Sequence, residues 1–219
     1  MKHLIYIFTF LILFISCSES KKNEIEKTET KIAKSELNNQ YLNLAKESNK
    51  TLNDWVDYYQ NSEPDFSLNE FEFTTKDTLQ LIQGNVFAIF DANFDKIYSD
   101  FLIYRNDKEI YLDFDSYSWV MDENNEILFS PDQEINIVDI KNKAVNRLAF
   151  RGPSQWVENI FWQNDSTVVL LENSYEKQPV ITKIDLIKKA ITTFRYKDNL
   201  KFESEYTKRR FEQLGITYE

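Results

Sequence analysis

An internal repeat in the second half of the chain constrains the fold more than any other feature. Two motifs recur in the same order, an Asn-Asp pair between apolar runs and a Lys-rich turn between apolar runs. The matching segments are 101–111 with 160–169, and 138–145 with 184–191. Each copy therefore predicts a strand, an Asn-Asp turn, a strand, a longer loop, a strand, a Lys-rich turn and a strand. The copies are offset by 58 residues at the first motif and by 46 at the second, so the first copy carries twelve extra residues within 115–134.

Repeated four-stranded antiparallel units of about 40–50 residues resemble the blades of β-propellers. A closed propeller needs at least about four blades, whereas two copies fit here and residues 71–91 offer only part of a third. We therefore expect an open or sandwich-like arrangement of two small sheets, with helices covering an exposed edge. The predicted fold class is β-rich (α+β), with two four-stranded antiparallel blade-like units over about 70–150 and 157–196.

Helical periodicity flanks these β units. An N-terminal helix is predicted over 37–60, because its apolar residues recur at helical spacing and Pro64 stops any continuation. Its apolar face suits packing on its own domain or binding to a partner. A short C-terminal helix is predicted over 200–214, where Gly215 is a suitable stop. Residues 37–219 are thus predicted to form a single β-rich domain.

The only cysteine, Cys17, directly follows an apolar run over 4–16 that is preceded by a short basic start. A run of this length fits an export signal, since a membrane-spanning helix needs about 20 apolar residues. The segment resembles the lipobox of bacterial lipoproteins, with Phe14 in place of the usual leucine. The resemblance implies a signal peptide over 1–16 and a lipidated Cys17 as the new N-terminus. A signal anchor and an ordinary secretory signal are the alternatives.

Residues 17–36 are charged and polar and contain no aromatic residue, which predicts a flexible tether between lipid and folded body. A charged helix continuous with the next segment is the alternative. Ser18, which is not acidic, follows the cysteine. This resembles lipoproteins directed to the outer membrane and facing the periplasm, with surface exposure as a second possibility. The low-glycine, Lys/Asn/Ile/Phe-rich composition and the layout resemble uncharacterised lipoproteins of Bacteroidota, which implies a location in the bacterial cell envelope and brings no activity with it.

Charge and composition exclude several classes of function. The formal net charge is −10, and removing residues 1–16 takes away Lys2 and no acid, which leaves a net charge of −11. Such an acidic body is repelled by phosphate backbones, so we predict no nucleic-acid partner. The only histidine, His3, lies in the predicted signal peptide. Because Ser-His-Asp, Cys-His and His-based zinc sites need side chains that the mature chain lacks, we predict no enzymatic activity, no cofactor and no metal.

The segment 113–125 is the densest mixture of acids, amides and aromatic residues. Its candidate ligand-binding residues are Asp113, Asp115, Tyr117 and Trp119. Paired carboxylates beside aromatic rings suit sugar binding or glycoside hydrolysis. The same alternation is typical of a half-exposed strand followed by a solvated loop, and both interpretations stay open.

A second candidate surface joins the two copies of the repeat. Gly152 and Pro153 predict a turn, and Arg151 and Trp156 flank it. Such a pair is often enriched at interaction surfaces, although a structural turn with a packed tryptophan is the interpretation that the sequence favours. An imperfect calcium-loop spacing over 91–95 offers a third, weaker site.

These observations predict a membrane-anchored envelope lipoprotein that acts as a non-enzymatic binding or scaffold module. Its expected partners are the membrane, through the lipid on Cys17, and another component of the envelope. The alternative is a carbohydrate-binding or carbohydrate-cleaving lipoprotein that uses residues 113–125. A small-ligand or ion sensor that uses residues 91–95 is the third possibility.

Overall fold

The structure of the protein is a computed structural model that describes Leu44, residues 49–124 and residues 126–217. The predicted signal peptide, Cys17, the tether and most of the first half of the predicted N-terminal helix lie outside the described residues. In the part of the chain that is described, no helix is long and apolar enough to cross a membrane.

Two antiparallel five-stranded sheets and one hairpin form the body, which confirms the β-rich class. The first sheet has the order β2-β8-β7-β4-β3 and the second has the order β1-β12-β11-β10-β9. The strands are β1 Phe71–Thr78, β2 Ile82–Gln83, β3 Ile103–Tyr104, β4 Ile110–Asp113, β5 Trp119–Met121, β6 Ile127–Phe129, β7 Gln133–Asp139, β8 Ala144–Arg151, β9 Gln155–Asn164, β10 Thr167–Ser174, β11 Val180–Asp185 and β12 Ala190–Tyr196. Neither sheet of the described chain closes on itself.

Each sheet contains the four strands of one copy of the repeat (β3, β4, β7 and β8 in the first, β9 to β12 in the second) and a fifth strand that the prediction of four-stranded units lacked. Strand β2 pairs with β8, and β1 pairs with β12. The region 70–150 therefore does not form one unit, because its first strand belongs to the second sheet. The physical reason is that the outer edges of β8 and β12 carry backbone donors and acceptors that need partners. The extra residues of the first copy form the β5-β6 hairpin.

The Lys-rich turns of the two copies have the same geometry. Asp139 Oδ1 accepts a hydrogen bond from the Asn142 amide at 2.8 Å, and Asp185 Oδ1 accepts one from the Lys188 amide at 2.8 Å. The next residue in each turn is a lysine in the left-handed region, with φ of 49° at position 143 and 50° at position 189. The repeat seen in the sequence is thus a repeat of backbone conformation.

Apolar side chains from both sheets share one core, so the sheets pack face to face. The buried members of this core are Leu79, Leu112, Phe114, Ile135, Leu148, Val157, Ile160, Val168, Leu170 and Ile184. Each fully buried side chain of this size contributes about 1.5–3 kcal/mol through removal of apolar surface from water. The predicted sandwich-like packing of two small sheets agrees with this core.

Helix α1 (Lys50–Ser62) covers the last part of the predicted range 37–60 and extends two residues beyond it. It begins after Asn49, whose side chain accepts a hydrogen bond from the Leu52 amide at 3.0 Å. Trp55 and Tyr59 on its buried face pack against Phe66. The helix therefore packs on its own domain with the face whose role the sequence left open.

Helix α2 (Tyr206–Gln213) is shorter than the predicted range 200–214. The preceding residues are held by other parts of the chain, because the Leu200 amide donates to Lys177 O and the Lys201 amide donates to Glu63 Oε1. These two hydrogen bonds engage the backbone amides of residues 200 and 201 outside a helix, and the helix begins only at Tyr206. Gly215, with φ of 80°, ends the helix in the left-handed conformation that favours glycine.

Candidate binding site

Asp113, the first candidate of the segment 113–125, is a buried turn residue. Its Oδ1 accepts hydrogen bonds from the amides of Asp115 at 3.1 Å and Ser116 at 3.0 Å, and its Oδ2 accepts one from the Ser116 hydroxyl. Burial raises the pKa of the Asp113 carboxyl, and the bonds from Ser116 oppose that rise. The carboxylate holds the chain as it leaves β4 and faces the interior.

Asp115 forms a buried ion pair with Arg210 of helix α2. The guanidinium donates two hydrogen bonds to the carboxylate, at 2.6 and 3.0 Å, and the Trp119 indole donates a third at 3.0 Å. The Arg210 guanidinium also lies over the Phe114 ring, 4.6 Å from its centroid. Asp115 and Trp119 are 1% exposed, so both belong to the attachment of α2 to the turn after β4 and to the β5-β6 hairpin.

Tyr117 is the only one of the four candidates in this segment that reaches solvent. It is half-buried and lies 6.3 Å from the Phe150 ring, centroid to centroid. The structure does not place two exposed carboxylates beside an aromatic ring anywhere in residues 113–124. Sugar binding at this segment stays a prediction, and Tyr117 is the residue on which it would depend.

Arg151, the first candidate of the second surface, pairs with a buried acid. Its guanidinium donates to both carboxylate oxygens of Glu172, at 2.5 and 3.1 Å, and Gln155 Nε2 donates to the same group at 2.7 Å. Burial alone would raise the pKa of Glu172, but the charge of Arg151 and the hydrogen bonds from Arg151 and Gln155 together outweigh burial, and the pKa is lowered. Because Arg151 ends β8 and Glu172 lies in β10, this ion pair joins the two sheets.

Trp156, by contrast, lies at a surface. Its ring contacts the ring of Tyr175 edge to face, with centroids 5.7 Å apart, and Tyr175 is 73% exposed. The predicted turn is present: the Gln155 amide donates to Gly152 O at 3.3 Å, and the Tyr175 amide donates to Ser154 O at 3.2 Å. The turn between the sheets therefore holds the two aromatic rings together.

Two cavities are bordered by this aromatic pair, which we call the Trp156–Tyr175 pair. The first cavity has a volume of about 220 Å³ and includes Phe129, Ser130 and Thr207 in its lining. The second has a volume of about 180 Å³. Its remaining lining residues are Asn173, Ser174, Lys177, Glu203 and Ser204. The aromatic pair and the two cavities together form the candidate binding site.

A buried carboxylate supports the second cavity from behind. Glu158 of β9 accepts hydrogen bonds from Trp55 Nε1 at 2.7 Å, from the Tyr59 hydroxyl at 2.7 Å and from the Ser204 hydroxyl at 2.5 Å. Asn173 Nδ2 donates in turn to the Tyr59 hydroxyl at 2.9 Å. Ser204 and Asn173, which line the cavity, are thus held by the Glu158 network.

The position of Glu158 follows from an irregularity in its strand. Leu171 pairs with Asn159 and Glu172 pairs with Val157, so Glu158 is the extra residue of a β-bulge. Burial raises the pKa of the Glu158 carboxyl, and the surrounding hydroxyl and indole donors oppose that rise. Among the ion pairs of the described residues, none involves Glu158.

Most residues of this site were not predicted from the sequence, and Glu158, Tyr175 and Ser204 are among them. Glu158 had a weak local signal, an acid in the segment Val157 to Phe161, whose other residues except Asn159 are apolar. Tyr175 had a weaker one, an aromatic residue in a polar turn. Ser204 had none, because the chain brings it to Glu158 across 46 residues.

Metal binding has no support in the described chain. No group of three or more His, Cys, Asp and Glu side chains within it is arranged to hold a metal ion. In the segment 91–95, Asp91 accepts a hydrogen bond from the Ala88 amide at 2.7 Å, and Asp95 accepts one from the Ile97 amide at 3.0 Å. Both carboxylates therefore already serve local turns, and the ion-sensor interpretation stays a prediction.

Comparison of the chain with protein-family models, with curated proteins and with solved structures yields no match.

Proposed function

We propose that the protein is a lipid-anchored component of the bacterial cell envelope that acts as a non-enzymatic binding module. The lipobox-like segment ending at Cys17 supports the anchor, and the Ser18 that follows supports the periplasmic face of the outer membrane. The module binds its ligand at the Trp156–Tyr175 pair. The finer fold proposal is that the four repeat strands of each sheet form a blade-like unit, supported by the matching geometry of the Lys-rich turns.

One observation carries the binding function: two exposed or half-exposed aromatic rings border two adjoining cavities at the junction of the sheets. Ligand sites in proteins are concave and combine aromatic surface with a few fixed polar groups. The charged candidates elsewhere are engaged in buried structural bonds. Asp115 pairs with Arg210, and Arg151 pairs with Glu172.

The anchor is tested by growing cells with an alkyne-bearing palmitate and labelling the tagged, full-length protein. We expect label on the wild type and none on Cys17→Ser. Equal labelling of the two proteins, or none on either, contradicts the proposed anchor.

The binding function is tested by in-cell crosslinking and recovery of the same protein. We expect partners to be recovered with the wild type and lost with Trp156→Ala and with Tyr175→Ala. Ile187→Ala is a matched control, because Ile187 is an equally apolar, 79% exposed residue in the β11-β12 turn, at the opposite end of the strands. Equal recovery from all four proteins contradicts a binding site at the Trp156–Tyr175 pair.

A further inference from the structure

The charge of the two cavities identifies the kind of ligand that they fit. No charged side chain lines the first cavity, within the part of the chain that the structure describes. Its polar lining consists of hydroxyls and amides: Ser118, Ser130, Gln133, Gln155 and Thr207. A ligand with a net charge would find no counter-charge there, and burying an unpaired charge is costly.

The second cavity is also balanced in charge. Its two charged residues, Lys177 and Glu203, pair with each other, with Lys177 Nζ 3.2 Å from Glu203 Oε1. The other polar groups are the neutral side chains of Asn173, Ser174 and Ser204. The cavity therefore offers neutral hydrogen-bonding groups beside the aromatic pair.

One of these neutral groups has a fixed orientation, which favours a ligand that carries hydroxyls. The Ser204 hydroxyl donates its proton to Glu158, and its oxygen accepts a hydrogen bond from the Tyr206 amide at 3.2 Å. A hydroxyl oxygen has two lone pairs, so one lone pair of Ser204 remains for a donor on the ligand. A hydroxyl of a ligand is such a donor.

Aromatic rings complete this chemistry, because each ring presents an apolar face with a negative quadrupole. A sugar ring has an apolar C–H face and a rim of neutral hydroxyls, so it matches an aromatic wall beside neutral donors and acceptors. Each cavity is smaller than the roughly 300–1,000 Å³ of a site for a drug-sized ligand, which suits one sugar unit per cavity.

We propose that the site binds a neutral saccharide chain, with one sugar unit in each cavity and the Trp156–Tyr175 pair between them. This inference rests on the proposed binding function and adds the class of its ligand. It places the sugar site at the junction of the sheets, where Ser118 is part of the lining but no described carboxylate of the segment 113–125 is.

Titration of defined probes into the full-length protein tests this inference. The protein is held in a detergent without a sugar headgroup, such as lauryldimethylamine oxide. The neutral probes are the tetrasaccharides of cellulose, xylan, mannan and chitin and their monosaccharides. A tetragalacturonate is the charged probe and deca-proline is the peptide probe.

We expect at least one neutral tetrasaccharide to bind, about tenfold or more tightly than its monosaccharide because two cavities are filled. Tyr175→Ala should weaken binding about tenfold, and Ile187→Ala should leave it unchanged. Tyr175 is largely exposed, so its loss does not threaten folding. Trp156→Phe, which keeps an aromatic ring, should bind more tightly than Trp156→Ala.

Three results would overturn the inference. The first is no binding of any neutral tetrasaccharide, and the second is binding that neither aromatic substitution weakens. The third is binding of tetragalacturonate or deca-proline alone, with loss of that binding in Tyr175→Ala. The third result would keep the binding function but reject a neutral saccharide as the ligand. The binding function itself is tested by the crosslinking experiment in cells, in which partners should be lost with Trp156→Ala and with Tyr175→Ala.

Discussion

At the scale of single residues, Glu158 is the group whose surroundings differ most from those of an ordinary acid. It is fully buried, it sits in a bulge, and its partners among the described residues are neutral donors from α1 and from the segment before α2. A raised pKa means that the folded protein holds this proton at a pH where the unfolded chain has released it. The free energy of unfolding must therefore change with pH as Glu158 titrates.

We predict that Glu158→Gln changes the pH dependence of stability. Between the ordinary glutamate pKa, about 4.3, and the raised pKa of the folded state, the contribution of Glu158 to the free energy of unfolding falls as pH rises. Above the raised pKa it stays constant. In urea unfolding between pH 4 and 8, the free energy of unfolding of Glu158→Gln should decline less with rising pH than that of the wild type.

The matched control is Glu172→Gln, whose carboxyl has a lowered pKa in the folded state. Its contribution is present above the unfolded pKa and is lost as pH falls, so this variant should differ from the wild type in the opposite sense. Parallel curves for Glu158→Gln and the wild type would reject a raised pKa at this position.

A second prediction concerns the left-handed lysines of the repeated turns. A left-handed conformation costs a residue with a side chain about 1–2 kcal/mol, and glycine removes that cost while losing more entropy on folding. Lys143→Gly should therefore stabilise the protein by about 0.5–1 kcal/mol in thermal unfolding. Lys141→Gly, in the same turn but without a positive φ, should destabilise it. The opposite order would show that the turn is not held as described.

At the scale of elements, a buried ion pair is one of the contacts that attach α2, beside the packing of Phe211. Arg210 donates two hydrogen bonds to Asp115, and three aromatic rings surround the guanidinium: Phe101, Phe114 and Phe211. Removing one partner of such a pair leaves the other charged and buried. The sequence of α2 alone therefore does not reveal that Arg210 is buried and paired with Asp115.

We predict that Arg210→Ala destabilises the protein by about 3–5 kcal/mol in urea unfolding. Arg209→Ala is the matched control, because Arg209 pairs with Asp54 at 2.6 Å from a partly exposed position on the same helix. That change should cost about 1 kcal/mol or less. Similar losses in the two variants would mean that burial of the Asp115 pair has no special role.

The same scale shows what the sequence can and cannot predict. The antiparallel strands of both copies were predictable, because alternation and turn residues act over a few neighbours. Strand β1 carries little apolar alternation and β2 has two residues, so their pairing with β12 and β8 has no local signal. Trp156 was predictable from its Gly-Pro turn, whereas the cavity needs Tyr175 and Ser204, which only the tertiary fold brings to it.

At the scale of the whole molecule, the strand added to the first sheet packs so tightly at one end that an added side-chain atom would clash with its neighbours. A Cβ on Gly84, next to β2, would lie 2.3 Å from Asn136 Oδ1 and 2.8 Å from Val145 Cγ1. The pairing of β2 with β8 at the edge of the first sheet therefore requires a glycine at position 84. Gly152, at the candidate binding site, has much more space, with its nearest such neighbour at 3.8 Å.

We predict that Gly84→Ala destabilises the protein by about 1–3 kcal/mol, as expected for overpacking. Gly152→Ala should stay within about 0.5 kcal/mol of the wild type. Differential scanning calorimetry of the two variants measures this contrast. Equal melting temperatures would show that Gly84 does not lie as close to Asn136 and Val145 as described.

The central claim is that the molecule meets its ligand at the junction of its two sheets. The most direct measurement places a benzophenone amino acid at position 175 or at position 187 of the full-length protein and irradiates living cells. Benzophenone inserts into C–H bonds, so it captures a saccharide or a protein alike. We expect a crosslinked product from position 175 and none from position 187. Products from position 187 alone, or from neither position, would contradict the claim.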